Sequence, residues 1–170
     1  RDLLLILPRF DYDTNKYVVD ILDIDNFKKI YTYYLDFNNI EKLYNPSVTK
    51  KPIGKNHIHV IQHPLITEEG HISLISSKGI FFTLNHCSEL VNYNNQNAYH
   101  HSLEQDIDGN FFVGSRTYPR SEIVKDKFIN YVEDAIAKIN KNGQLIYNKS
   151  IPNILNHNSL WNYKYFNSQD

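Results

Sequence analysis

No methionine occurs in the chain, and Cys87 is its single cysteine. An internal disulfide and a cysteine-based zinc site are therefore both excluded. Charge of one sign is missing too: eighteen Lys plus Arg stand against nineteen Asp plus Glu, a formal net charge of -1. That balance removes the basic field that recruits nucleic acid or anionic lipid. The run "LLLIL" at 3–7 is too short to cross a bilayer and lacks the basic flank and small-residue cleavage pattern of a signal peptide. No nucleophile elbow, phosphate-binding P-loop, His-Glu-x-x-His helix or dinucleotide glycine fingerprint is present. With Arg1 in first place and no methionine, a processed chain or a piece of a longer protein is expected.

What is present is aromatic and β-branched. The chain is 41% hydrophobic and 22% charged, with thirteen Tyr and nine Phe, enough for one core in one domain spanning 1–170. "YVVDILDIDNFKKIYTYYL" (17–35) reads as strand, turn, strand about Asp25 and Asn26. "GIFFTLNHCSELVNYN" (79–94) and "DAIAKINKNGQLIYNK" (134–149) repeat that outline and align without a gap, Ser88 falling on Gly143. A second kind of hairpin precedes each of these two, in "IQHPLITEEGHISLISS" (61–77) and "YHHSLEQDIDGNFFVGSR" (99–116). Gly70 and Gly109, in their turns, lie 39 residues apart (109 minus 70), close to the roughly 40–45 residues of a four-stranded propeller blade.

The expected fold is therefore all-β: a partial β-propeller of four-stranded antiparallel blades, about three of them and roughly eleven strands, too few to close a ring. A flat sandwich of short strands competes, but gives no reason for hairpin types to recur in order. The proline-containing stretch 39–56 reads as a long connection and 117–133 as an insertion, within which Ile123, Val124, Phe128, Tyr131 and Val132 loosely mark a short helix. An open arc exposes strand edges that missing blades or a partner chain would cover.

Eight histidines cluster unevenly, at 57, 59, 63, 71, 86, 100, 101 and 157. In a propeller the first strand of each blade lines the axis, which brings His63 and His101 toward one volume. His57 and His59, two apart, would share a strand face and invite a zinc or copper site completed by His63 or His101. No carboxylate stands at a matching spacing, so a pair of solvent-facing histidines is the reading adopted, with no metal. In an extended strand His100 and His101 point to opposite sides. Arg116 offers a fixed cationic fork for a phosphate or sulfate, or an ion pair with Glu104. "DIDG" at 106–109 lacks EF-hand spacing and reads as a turn. Cys87, in a hairpin turn, has no recognisable activating partner.

Taken together, "RDLLLILPRFDYDTNKYVVDILDIDNF", "QHPLITEEGHI", "YHHSLEQDIDGNFFVGSR" and "DAIAKINKNGQLIYNKSIPNIL" resemble part of an arylsulfotransferase-type β-propeller, the group of bacterial aryl-sulfate sulfotransferases and their relatives. The resemblance implies transfer of a sulfuryl group from an aryl sulfate to a phenolic acceptor through a histidine intermediate, without cofactor or metal. It assigns catalytic roles to His101, His63 and Arg116, with His100 and His59 as substrate-binding candidates. It also implies export to the periplasm or beyond, and small-molecule rather than nucleic-acid partners. The family's nucleophilic histidine finds no match here, and His157-Asn158 is not carried into that role, so these 170 residues alone are expected to be inactive. The alternative is a non-catalytic propeller that binds a protein or a small anion.

Overall fold

The computed structural model describes residues 3–48, 61–124 and 132–160. Eleven strands occupy them: β1 (Leu4–Asp11), β2 (Lys16–Asp23), β3 (Lys29–Leu35), β4 (Ile61–Ile66), β5 (Ile72–Ser76), β6 (Phe81–Leu84), β7 (Leu90–Asn94), β8 (Ala98–Gln105), β9 (Phe111–Arg116), β10 (Asp134–Ile139) and β11 (Leu145–Ser150). Two short helices accompany them, α1 (Phe37–Ile40), followed by a 3₁₀ turn at Glu41–Leu43, and α2 (Ile151–His157). All strands run antiparallel to their sequence neighbours in three meanders, β1-β2-β3, β4-β5-β6-β7 and β8-β9-β10-β11. The architecture is a partial all-β propeller of blade-like sheets that does not close. Among the described residues no helix is long and apolar enough to cross a membrane.

One device sets half of the hairpins. Asp23 ends β2, and Asn85, Asp106 and Asn140 directly follow β6, β8 and β10; the side-chain oxygen of each accepts the backbone N–H two residues on, at 2.9–3.0 Å. Short polar side chains that bond their own following backbone close a turn locally. In the last three the same oxygen also accepts a fourth-neighbour N–H, from Glu89, Asn110 and Gln144.

The second sheet is the filling of the stack. Along β5, Ile72 and Leu74 pack toward the first sheet with Val19, Ile21, Tyr33 and Leu35. Ile75, on the other face, joins Phe81, Tyr99, Phe111, Val113 and Ala137 of the third-sheet core. Every residue of β5 and β6 is buried, so these strands read as continuous apolar runs where a solvent-facing strand would alternate. Of the polar exceptions, Ser73 and Thr83 satisfy each other at 2.9 Å, and Ser76 Oγ accepts the Ile80 N–H at 3.3 Å.

Contacts between sheets show which strands correspond. Tyr34 of β3 donates its N–H to Ser88 Oγ in the β6–β7 turn, and Asn94 of β7 donates to the Gly143 carbonyl in the β10–β11 turn, at 2.8 Å. Ser88 and Gly143 both have positive φ, 65° and 81°. β3, β7 and β11 are therefore equivalent, and β1 corresponds to β5 and β9. The eleven strands and nearly three blades agree with expectation, the first sheet having three strands: among the described residues no counterpart of β4 or β8 precedes β1, which pairs only with β2. Of the insertion, residues 117–124 and 132–133 are described, with Val124 fully buried; Phe128 and Tyr131 of the expected helix lie outside the described residues, as do His57 and His59.

Candidate functional site

Strands β4 and β8, each the first strand at the edge of its sheet, both break their pairing partway along. β4 slips against β5 between Gln62 and Leu65, and β8 slips against β9 between Tyr99 and Leu103. Within each bulge stands a histidine with left-handed backbone, His63 at φ 42° and His101 at φ 57°. A non-glycine residue held there is strained and is kept so by its surroundings. The bulges differ by one residue: His63 and Pro64 lie between the paired positions of β4, and His100, His101 and Ser102 between those of β8. The His101 N–H donates to Gln62 Oε1 at 3.0 Å, joining one bulge to the other.

Gly114 makes the second bulge feasible. A Cβ there would sit 2.6 Å from the His100 carbonyl oxygen, closer than any real side-chain carbon approaches. The expectation that His100 and His101 project to opposite sides is corrected, because the bulge replaces the extended backbone it assumed. Their rings meet edge to face, centroids 4.9 Å apart.

Around this pair the strand register collects charge. Arg116 lies opposite both Ala98 on β8 and Asp134 on β10, and His100 Nε2 comes within 3.2 Å of Asp134 Oδ1. The His100 side chain is 17% exposed, and neither ring nitrogen has a fully aligned hydrogen-bond partner. Burial pushes its pKa down; Asp134 and the Ser115 backbone oppose that shift, and Arg116 and His101 reinforce it. The imidazole is thus biased toward its neutral form, able to accept or hand on a proton. Glu104 lies opposite Phe112, farther along the strand, so the expected Arg116–Glu104 neighbourhood is replaced by Arg116–Asp134.

His101, His100 and Arg116 thus come together, and β4 is tied to them by the bond from the His101 N–H to Gln62, the residue before His63. His59 lies outside the described residues, and among those described no group of three or more His, Cys, Asp or Glu is arranged to hold a metal ion. Asp106 and Gly109 form the β8–β9 turn, Cys87 is free and exposed, and Asn158 caps α2 by donating its side-chain amide to the Ile154 carbonyl. Gln62, Gly114 and Asp134 were not singled out from sequence; the Gln-His and His-His pairing marks Gln62, whereas Asp134 becomes visible only through strand register. A separate open cleft of about 650 Å³ borders Phe10, Tyr17, Tyr34, Phe37 and Ser88, and its lining includes none of His63, His100 and His101.

A scan against protein-family models finds no match, and no curated protein matches this chain. Among solved structures, one similar chain is a protein of unknown function from Bacteroides caccae, with 13% identity and a TM-score of 0.34 over 85% of this chain and 56% of that one. The chain thus spans a little over half the length of that protein.

Proposed function

We propose that the paired bulges of β4 and β8 form part of an oxyanion-handling site, and that the protein to which this chain belongs transfers sulfuryl groups between phenolic compounds. The observation that carries the reading is the recurrence of a left-handed histidine in a bulge of the first strand of each four-stranded sheet, His63 and His101, the latter beside His100 and Arg116. Arg116 would bear charge on the sulfuryl oxygens with its planar fork. His101 and His63 would contact the same group or the phenol oxygen, and His100 would move a proton. In the first half-reaction an imidazole nitrogen bonds to sulfur, the sulfur–aryl-oxygen bond breaks and the phenolate leaves with a proton. In the second, the acceptor phenol oxygen takes the sulfuryl group and the nitrogen–sulfur bond breaks. The imidazole that bonds sulfur would come from further blades, and those blades would cover the free edge of β1.

The test is release of a chromogenic phenol from an aryl sulfate by the longest natural form of the protein, with and without a phenolic acceptor. Acceptor-dependent release that falls at least tenfold in both His101→Ala and His63→Ala supports the reading. Release that is unchanged in both variants, or none from folded protein, shifts it to a propeller that only binds an anion; sulfate binding lost in Arg116→Ala would then identify that role.

A further inference from the structure

We infer that the root of the 117–133 insertion holds a hard monovalent cation against Glu133. Glu133 is 1% exposed, and one carboxylate oxygen, Oε2, accepts the Ser121 N–H at 2.6 Å. The other, Oε1, is buried without a hydrogen-bond partner, and so are Ser121 Oγ and Thr117 Oγ1. Their residues are neighbours: Ser121 holds the carboxylate through its amide, and Thr117 donates its N–H to the Glu133 carbonyl at 2.8 Å. Among the described residues no Lys or Arg pairs with Glu133.

A buried carboxylate with a single amide donor is costly unless its charge is matched. The orphaned atoms are all hard oxygens, which suit alkali and alkaline-earth ions; zinc and copper favour nitrogen and sulfur donors. Charge then selects within that set. One carboxylate and two neutral hydroxyls are balanced by a single positive charge, whereas calcium would leave an excess positive charge beside a buried side chain. Thr117 and Glu133 flank Arg116 and Asp134 directly in sequence, so the ion would brace the strand ends that carry the candidate site. This inference stands on the orphaned oxygens and is independent of the sulfuryl-transfer reading.

The experiment is thermal unfolding of the chain in sodium, potassium, calcium and choline chlorides at equal ionic strength, with ²³Na line broadening as the direct readout. Expected is a saturable rise of roughly 2–4 °C in sodium or potassium over choline, together with sodium broadening, both lost in Glu133→Gln, which keeps an oxygen for the Ser121 amide. Whichever of the two ions acts at lower concentration is the better fit to the cage. Equal melting in all four salts, or an ion effect that persists in Glu133→Gln, overturns the site in favour of ordered water. A response to calcium alone overturns the monovalent assignment. If Glu133→Gln does not fold, Ser121→Ala takes its place and must weaken the same dependence.

Discussion

His100 brings burial and charge into direct opposition. Its folded pKa is lowered from the ordinary 6.5, burial being the largest cause. The unfolded chain therefore binds more protons between the folded value and 6.5, so stability is fully present above that window and falls as pH drops through it. Asp134 works against the shift, and Asp134→Asn is expected to lower the His100 midpoint further, read by NMR titration of the imidazole; a midpoint that rises would refute the role given to that carboxylate. Gly114 has a steric reason of its own. Gly114→Ala forces a carbon against the His100 carbonyl, and we expect a loss of about 1–3 kcal/mol in urea unfolding. The damage should centre on the bulge, moving the His100 and His101 resonances most.

Hairpins were legible because their chemistry is local. Asp23, Asn85, Asp106 and Asn140 write each turn into three to five residues, and β-branched and aromatic runs flank them. Bulges were not legible, since a slip such as Tyr99 to Leu103 exists only relative to the partner strand. The histidines could be placed on the first strands of their blades by repetition, but their left-handed backbone and the neighbourhood of Asp134 depend on register. The joints between sheets are likewise absent from any local pattern. Asn94 shows what such a joint does: its side chain donates to the Gly143 carbonyl and accepts from Gln96 N–H and the Tyr99 hydroxyl. Burial raises the Tyr99 pKa, so that hydroxyl keeps its proton for the bond. Asn94→Ala strands a buried carbonyl and a buried phenol, and is expected to cost about 1–3 kcal/mol. Tyr99→Phe added to it should cost less than its own single-variant value, because the partner is already gone; strictly additive losses would show that the joint does not work as a unit.

In the whole molecule, stability is a matter of two sheet-to-sheet interfaces that share one middle layer. Leu74 and Ile75 are sequence neighbours, both fully buried, yet Leu74 belongs to the core with the first sheet and Ile75 to the core with the third. Truncating either to alanine removes similar apolar contact from a packed interior and is expected to cost about 2–5 kcal/mol. Equal cost need not mean equal consequence. If each interface is a separate cooperative unit, Leu74→Ala should raise amide exchange in β2 and β3 while sparing β9 and β10, and Ile75→Ala should do the reverse. The outcome bears on the candidate site, which rests on the third sheet but is tied to the second through Gln62 and His101. Exchange at His101 N–H should therefore follow Ile75→Ala and stay protected in Leu74→Ala. Uniform loss of protection in both variants would instead mean that the three sheets unfold as one body, with the bulges held by the whole stack.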